Sequence, residues 1–225
     1  MPTRLGQGIG NDTLAIDRIY HVYNRTIDGI TPLSNSRNPS LFLKLVSHYN
    51  KFSIPFSEHL SYKNMEKRVL EVTPVEILSY CIMPNHYHLL IKQLSDNGIS
   101  KYLERLSKSF THIYNRETNR IGNLWLGRFM AKLVDTDEAF LQVNRYIHLN
   151  PIVSTKLNIR RIEEYPWSSY LDAIDKRYNK ICNHELLWGL MKPAAYEKFV
   201  SSKIDTSEYA NYLIDHFEKR VLEVK

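Results

Sequence analysis

Met83-Pro-Asn-His-Tyr-His-Leu-Leu-Ile-Lys-Gln93 decides how this chain folds. Pro84-Asn85 is a break between two extended runs. Upstream, Val75-Glu-Ile-Leu-Ser-Tyr-Cys-Ile82 is rich in β-branched and aromatic residues; downstream, His86 to Gln93 repeats that character. Two such runs this close in sequence predict a pair of antiparallel strands. On the second strand His86 and His88 are two residues apart. They therefore share one face, about 6–7 Å apart at the backbone, and Tyr87 points to the other. Two neutral imidazoles placed this way can converge on one divalent ion. The pair stands near a strand end, where a site can open to solvent. Taken by spacing alone, the commoner meaning of such a pair is two half-buried sheet histidines.

The flanking segments supply the rest of a sheet and its helices. Arg18 to Asn24 alternates, with Ile19, His21 and Tyr23 opposed to Tyr20 and Val22, and reads as a strand. Thr26 to Pro39 is a loop. Ser40 to Tyr49 reads as a helix with Ser40 as its N-cap. Asp96 to Thr118 is a long helix, because Ile99, Tyr102, Leu103, Leu106, Phe110 and Ile113 recur at three- and four-residue spacing. Leu124 to Val134 reads as a fourth strand or hairpin arm. Thr136 to Leu149 is a further helix, with Asp135 and Glu138 at capping-box spacing. Asn150-Pro151 is expected to end it, since a residue before proline is pushed out of the helical region.

Composition narrows the class. The 225 residues are 43% hydrophobic and 24% charged, which is ordinary globular composition and enough to bury a core without disulfides. The two cysteines form no CxxC pair, so zinc-ribbon and thiol-redox readings drop out and a reducing compartment is expected. No run approaches the ~18–20 apolar residues of a membrane span, and the polar, Gly-rich N-terminus has no leader character. The expectation is a soluble intracellular protein. Its net charge of +6 favours an anionic partner. Much of it is concentrated: from Lys92 to Lys132 eight Lys/Arg face three acids. Charge alone leaves a solvated basic face and a phosphate-binding surface equally open.

Tyr146 and Asn150 stand at i and i+4 on the last of these helices, so they share a face beside the apolar stripe of Phe140, Val143 and Ile147. A tyrosine hydroxyl, with a reference pKa of about 10, needs a base or a polarised electrophile to attack phosphorus. Spacing alone favours a half-buried aromatic and a C-cap asparagine.

Together these motifs resemble a known family. Tyr20-His21-Val22, Met83-Pro-Asn-His-Tyr-His-Leu-Leu-Ile91, Gly122-Asn-Leu-Trp125 with Arg128-Phe129, Tyr146-Ile-His-Leu-Asn-Pro151 and Pro166-Trp-Ser-Ser-Tyr170 occur in order. They are similar to the REP-associated tyrosine transposases, relatives of the single-tyrosine transposases of small insertion sequences whose two metal histidines flank a hydrophobic residue (the HUH motif). The similarity covers about residues 16–170.

The resemblance implies an α+β fold: a central antiparallel sheet, ferredoxin-like or RRM-like, carrying the histidine pair, with helices packed on one side. The chain divides into a loose arm over 1–15 carrying Gly6, Gly8 and Gly10, the transposase domain over 16–155 that the resemblance implies, and an extension over 156–225 that reads as mostly helical and whose role stays open. His86 and His88 would bind Mg²⁺ or Mn²⁺, Tyr146 would be the nucleophile, and Asn150 would stand where relatives place a third polar ligand. Tyr114 is the competing nucleophile. Single-stranded DNA beside a hairpin would lie across the sheet, its phosphates held by Lys101, Arg105, Lys108, Arg120, Arg128 and Lys132. Trp125 could stack an unpaired base, although core packing is its commoner role. The expected setting is the nucleoid of a prokaryotic cytoplasm, with monomer and homodimer both open. A non-catalytic hairpin-binding protein and a metal-dependent DNA hydrolase are the alternatives.

Overall fold

The computed structural model describes residues 14–52, 54, 56, 70–153, 161–178 and 181–202. The expected arm over 1–15 lies almost wholly outside the described residues, as do parts of the 156–225 extension. Four strands, β1 (Ile19–Arg25), β2 (Val75–Met83), β3 (His86–Gln93) and β4 (Met130–Val134), form one antiparallel sheet in the order β2-β3-β1-β4. Helix α1 (Arg37–Tyr49) follows β1, and α2 (Gly98–Thr118) follows β3. This chain order and strand order are those of the expected ferredoxin-like sheet.

Met83 pairs with His86, so Pro84 and Asn85 alone make the β2–β3 turn. The turn is anchored from outside: Asn85 O accepts from Thr26 N–H at 2.9 Å and Pro84 O from Leu33 N–H at 3.0 Å. In β2 the pairing skips Leu78, so an extra residue is inserted there. The bulge shifts the side-chain alternation by one residue. Ile77 and Tyr80 thus both reach the first core, while Leu78, Cys81 and Met83 reach the second.

Those two cores lie on opposite faces of the sheet. On one, Tyr20, Val22, Tyr87, Leu89 and Ile91 pack against Phe42 and Leu45 of α1 and Tyr102, Leu106 and Phe110 of α2. On the other, Leu90 and Cys81 pack against α3 (Asp137–Val153) through Phe140, Val143, Tyr146 and Ile147. The expectation of helices on one side only is therefore corrected: the face that α1 and α2 leave bare is covered by α3. The short helices α4 (Tyr170–Ala173), α5 (Glu185–Leu190) and α6 (Pro193–Ser201) join that second core through Tyr170, Leu187, Tyr196 and Val200. Residues 167–169 also cover the edge of β2, with Ile82 N–H donating to Trp167 O and Ser169 N–H to Tyr80 O.

Several boundaries differ from expectation, four of them with a clear local cause. Helix α1 begins at Arg37, not Ser40; Asn35 Oδ1 accepts from Asn38 N–H at 2.8 Å, and Pro39 sits in the first turn, where its missing N–H costs nothing. The fourth strand begins at Met130, because Gly127 adopts φ 68° and breaks the extended run; Trp125 makes only an isolated bridge to Thr26. Thr136, not Asp135, caps α3, its Oγ1 accepting from Ala139 N–H at 3.1 Å. And α3 runs through Pro151 to Val153. Proline this near the end removes one backbone bond, and Asn150 Nδ2 donates to Tyr146 O at 3.2 Å beside the gap. Among the described residues no helix is long and apolar enough to cross a membrane.

Candidate catalytic face

Register brings the functional side chains together. β1 and β3 are the inner strands, and Tyr23 lies opposite His88 while Arg25 lies opposite His86. His21, Tyr23, His86 and His88 therefore share the face that α3 covers. The His86 and His88 rings have centroids 5.0 Å apart, and the His21 ring lies 5.1 Å from that of His88. Helix α3 lays Tyr146 edge-on against this cluster, 5.2 Å from His88 and 5.6 Å from His21 between ring centroids. One turn on, Asn150 hydrogen-bonds His86.

Each metal-candidate histidine has its Nδ1 engaged. Asn85 Oδ1 lies 2.8 Å from His86 Nδ1, and His21 Nε2 lies 3.0 Å from His88 Nδ1. An amide oxygen only accepts, so the contact with Asn85 Oδ1 puts a proton on His86 Nδ1. His88 Nε2 is buried with no hydrogen-bond partner. The electrostatics keep all three rings neutral. Burial, then the Lys132 cation, lowers His21 to about 3. Burial, then Arg25, outweighs the bond to Asn150 and lowers His86 to about 4. Burial, then its histidine neighbours, pushes His88 well below the usual range. Neutral imidazole is the ligating form.

Among the described residues no three His, Cys, Asp or Glu side chains form a metal cage by themselves. Two histidines and an amide nevertheless fit a hard divalent ion that keeps water or phosphate oxygens in its remaining positions. The orphaned His88 Nε2 is the observation that favours such a fit, because a buried imidazole nitrogen without a partner is costly.

The remaining expected residues are divided. Lys132 pairs with His21 across β1–β4 and so stands on the histidine face. Arg128 is exposed in the loop after Trp125. Arg120 is occupied within its own loop, donating to Asn115 Oδ1 and the carbonyls of Gly122 and Asn123. Lys101, Arg105 and Lys108 line the outer surface of α2, behind the opposite face of the sheet, and Lys108 pairs with Glu104. The expected single phosphate-binding surface is thus split, since α2 packs on the Tyr87 side. Tyr114 lies on that side too, stacked on Phe110. Trp125 is 6% exposed and packs against Phe42, Tyr87 and Phe110, in the core.

Sequence reasoning passed over His21, Tyr23 and Arg25. The two-residue alternation put them on one face of β1, but only register puts that face beside His86 and His88. It also passed over His148, which is fully buried. Its Nδ1 bonds the Tyr196 hydroxyl at 2.8 Å and its Nε2 bonds Ser169 Oγ at 2.9 Å, and that oxygen accepts from Tyr80 N–H.

Comparison with known proteins finds similarity to transposases. Residues 46–150 match the family model described as "Transposase IS200 like". The match runs from within α1 to Asn150 and includes His86, His88 and Tyr146. A Haemophilus influenzae protein named for the REP-associated tyrosine transposases is 25% identical over 119 residues. That alignment covers 48% of this chain and 66% of the relative, just under two thirds of its length. A solved REP-associated tyrosine transposase, described as bound to a REP hairpin, superposes with a TM-score of 0.52 at 14% identity. The superposition covers 83% of this chain and 96% of that one, and shows a shared fold. A Deinococcus radiodurans R1 protein named as a transposase aligns with a TM-score of 0.35 at 14% identity, over 64% of this chain and 95% of that one. The resemblance drawn from the sequence motifs is borne out.

Proposed function

We propose that this face cleaves and rejoins single-stranded DNA through a phosphotyrosine on Tyr146, with His86, His88 and Asn150 holding Mg²⁺ or Mn²⁺. The observation that carries the reading is the packing of the Tyr146 ring 5.2 Å from His88, whose Nε2 has no partner. When bound, the ion would polarise a non-bridging phosphate oxygen and offset the charge that develops during attack.

The chain's own residues account for the rest. Helix α3 is docked by Phe140, Val143 and Ile147, which fixes Tyr146 over the sheet, so little orientational freedom is lost at the moment of reaction. The Tyr146 oxygen attacks phosphorus, the bond from phosphorus to the 3′ oxygen breaks, and that oxygen gains a proton as the phenol loses its own. One ester replaces another, so the 5′-phosphotyrosine conserves bond energy and needs no nucleotide cofactor. A second strand's 3′-OH reverses the step and joins strands. Arg25 and Lys132 flank the cluster on the same face and offer positive charge to the DNA backbone.

The partner is single-stranded DNA next to a hairpin. The hairpin named with the structural neighbour supports this choice, and the site of action is then the nucleoid. The test is cleavage of a labelled single strand flanking a hairpin, with Mg²⁺ or Mn²⁺, by the full chain and by its Tyr146→Phe variant. Cleavage by the parent and none by the variant is expected. Unchanged cleavage by the variant points instead to a metal-activated water, and no cleavage by either points to a hairpin-binding protein.

A further inference from the structure

We propose that Leu126 is a base-contacting residue: its side chain takes the face of one unpaired base of the strand on the histidine face, between phosphates held by Arg25 and Arg128. This rests on the single-stranded DNA reading above and deepens it to a residue outside the metal and nucleophile set.

The loop before β4 lies at the end of the sheet where the histidine pair begins. Arg25 pairs with His86, and Leu126 N–H donates to Arg25 O at 2.7 Å. Two strand spacings therefore separate the Leu126 and His86 backbones, roughly 10 Å. Thr26 and Trp125 form an antiparallel bridge and so share a face, and Trp125 packs in the core on the Tyr87 side. Alternation then turns their neighbours Arg25 and Leu126 toward the histidine side.

Leu126 is an apolar side chain that the fold holds out of its core. Leu124 is fully buried and Trp125 is 6% exposed, whereas Leu126 is 40% exposed. The backbone beneath it is fixed. Ile27 N–H donates to Leu124 O at 3.0 Å, Gly127 N–H to Trp125 O at 2.9 Å, and Asn24 Nδ2 to Gly127 O at 3.3 Å. A ligand thus meets a side chain on an ordered support and loses little freedom in ordering it. There is also room: apart from its chain neighbours, nothing comes within 4 Å of where a Cβ on Gly127 would stand.

Charge selects the occupant. Arg25 is half-buried and Arg128 exposed, and among the described residues neither forms an ion pair. An apolar protein surface laid over Leu126 would cover two guanidinium groups without pairing them, which is costly. An unpaired nucleotide offers an apolar base face with a phosphate on each side, and leucine is among the side chains that pack against bases.

The experiment reads binding with cleavage switched off. Fluorescence anisotropy of the full chain in EDTA is measured on a hairpin with single-stranded flanks on both sides, intact and with an abasic site at each flank position in turn. Thermal unfolding checks the fold of each variant. Leu126→Ala is expected to bind the intact strand about fivefold more weakly than the parent, the lower end of what one packed base contributes. At one flank position the abasic site should cost the parent a similar factor and cost Leu126→Ala nothing more, since the contact is already lost. Val72→Ala, 62% exposed and near the start of β2 at the other end of the sheet, should match the parent. Parent affinity in folded Leu126→Ala, or abasic losses equal in parent and variant at every position, overturns the proposal and leaves the catalytic reading standing. A parent that binds no strand overturns both. The coupled loss in a parent that cuts no strand with Mg²⁺ or Mn²⁺ supports the base contact and defeats the catalytic reading instead.

Discussion

His88 and His148 are equally hidden and differ in one respect. They are 3% and 0% exposed, respectively. Both are held far down the histidine range by burial, His148 to about 3. Yet His148 has both ring nitrogens bonded, joining α3 to α6 through Tyr196 and to β2 through Ser169. His88 has one bonded nitrogen and one without a partner. Burial and a depressed pKa therefore do not separate a strut from a site. This pair differs in valence: the first histidine keeps one ring nitrogen open to a ligand, and the second has both engaged.

The largest effect expected from this contrast is chemical. Tyr146→Phe removes one hydroxyl beside the open histidine and should lower cleavage by about 10³-fold or more, the loss typical of a removed nucleophile. Its urea-unfolding free energy should stay within ~1 kcal/mol of the parent. A variant that cleaves at the parent rate breaks the account of that face.

Stability should then divide the two histidines. His148→Ala leaves a cavity and strands the Ser169 and Tyr196 hydroxyls, at a cost of ~3–4 kcal/mol by urea denaturation. His88→Ala, measured without metal, also leaves a cavity but removes an unsatisfied atom along with one bond, so ~1–2 kcal/mol is expected. Equal losses would mean that the open valence has no energetic meaning.

The two faces of the sheet extend the comparison to charge. Arg25→Ala with Lys132→Ala should weaken single-stranded DNA binding by about tenfold at moderate salt. The slope of log K against log salt should become shallower by about one for each phosphate that the variant no longer neutralises. Lys101→Ala with Arg105→Ala, behind the opposite face, should change binding by less than about twofold. The reverse ranking would place the DNA on α2. Smallest of all, Tyr114→Phe should leave cleavage within about twofold, since Tyr114 packs on Phe110 away from the histidines.

What the sequence showed was whatever local periodicity encodes. β3 falls on His86–Gln93 as read from the chain, and α2 ends at Thr118 as read. The placing of His86 and His88 on one side and Tyr87 on the other follows from alternation alone. What it hid depends on distance along the chain. His21 and His88 are 67 residues apart, and only strand register makes them neighbours. The Lys101, Arg105 and Lys108 stripe was visible as a stripe, but nothing local states which face of the sheet its helix will cover. Local rules also gave way where tertiary packing outweighed them. Pro151 did not stop α3, because Ile152 and Val153 pack into the second core. The run from Leu124 broke at Gly127, whose positive φ was not to be read from composition. The Pro166 to Tyr170 motif, noticed first as resemblance, owes its place to Ser169, which bonds β2 and His148 together.

The central claim is that Tyr146 becomes covalently joined to DNA beside the histidine pair. Its most direct test is to react the full chain with a labelled hairpin-flanked single strand and Mn²⁺, denature it, digest it and locate the labelled peptide by mass spectrometry. The account predicts a nucleotide adduct on the peptide containing Tyr146 and none on that containing Tyr114. Cleaved DNA with no adduct, or an adduct on another residue, would contradict it.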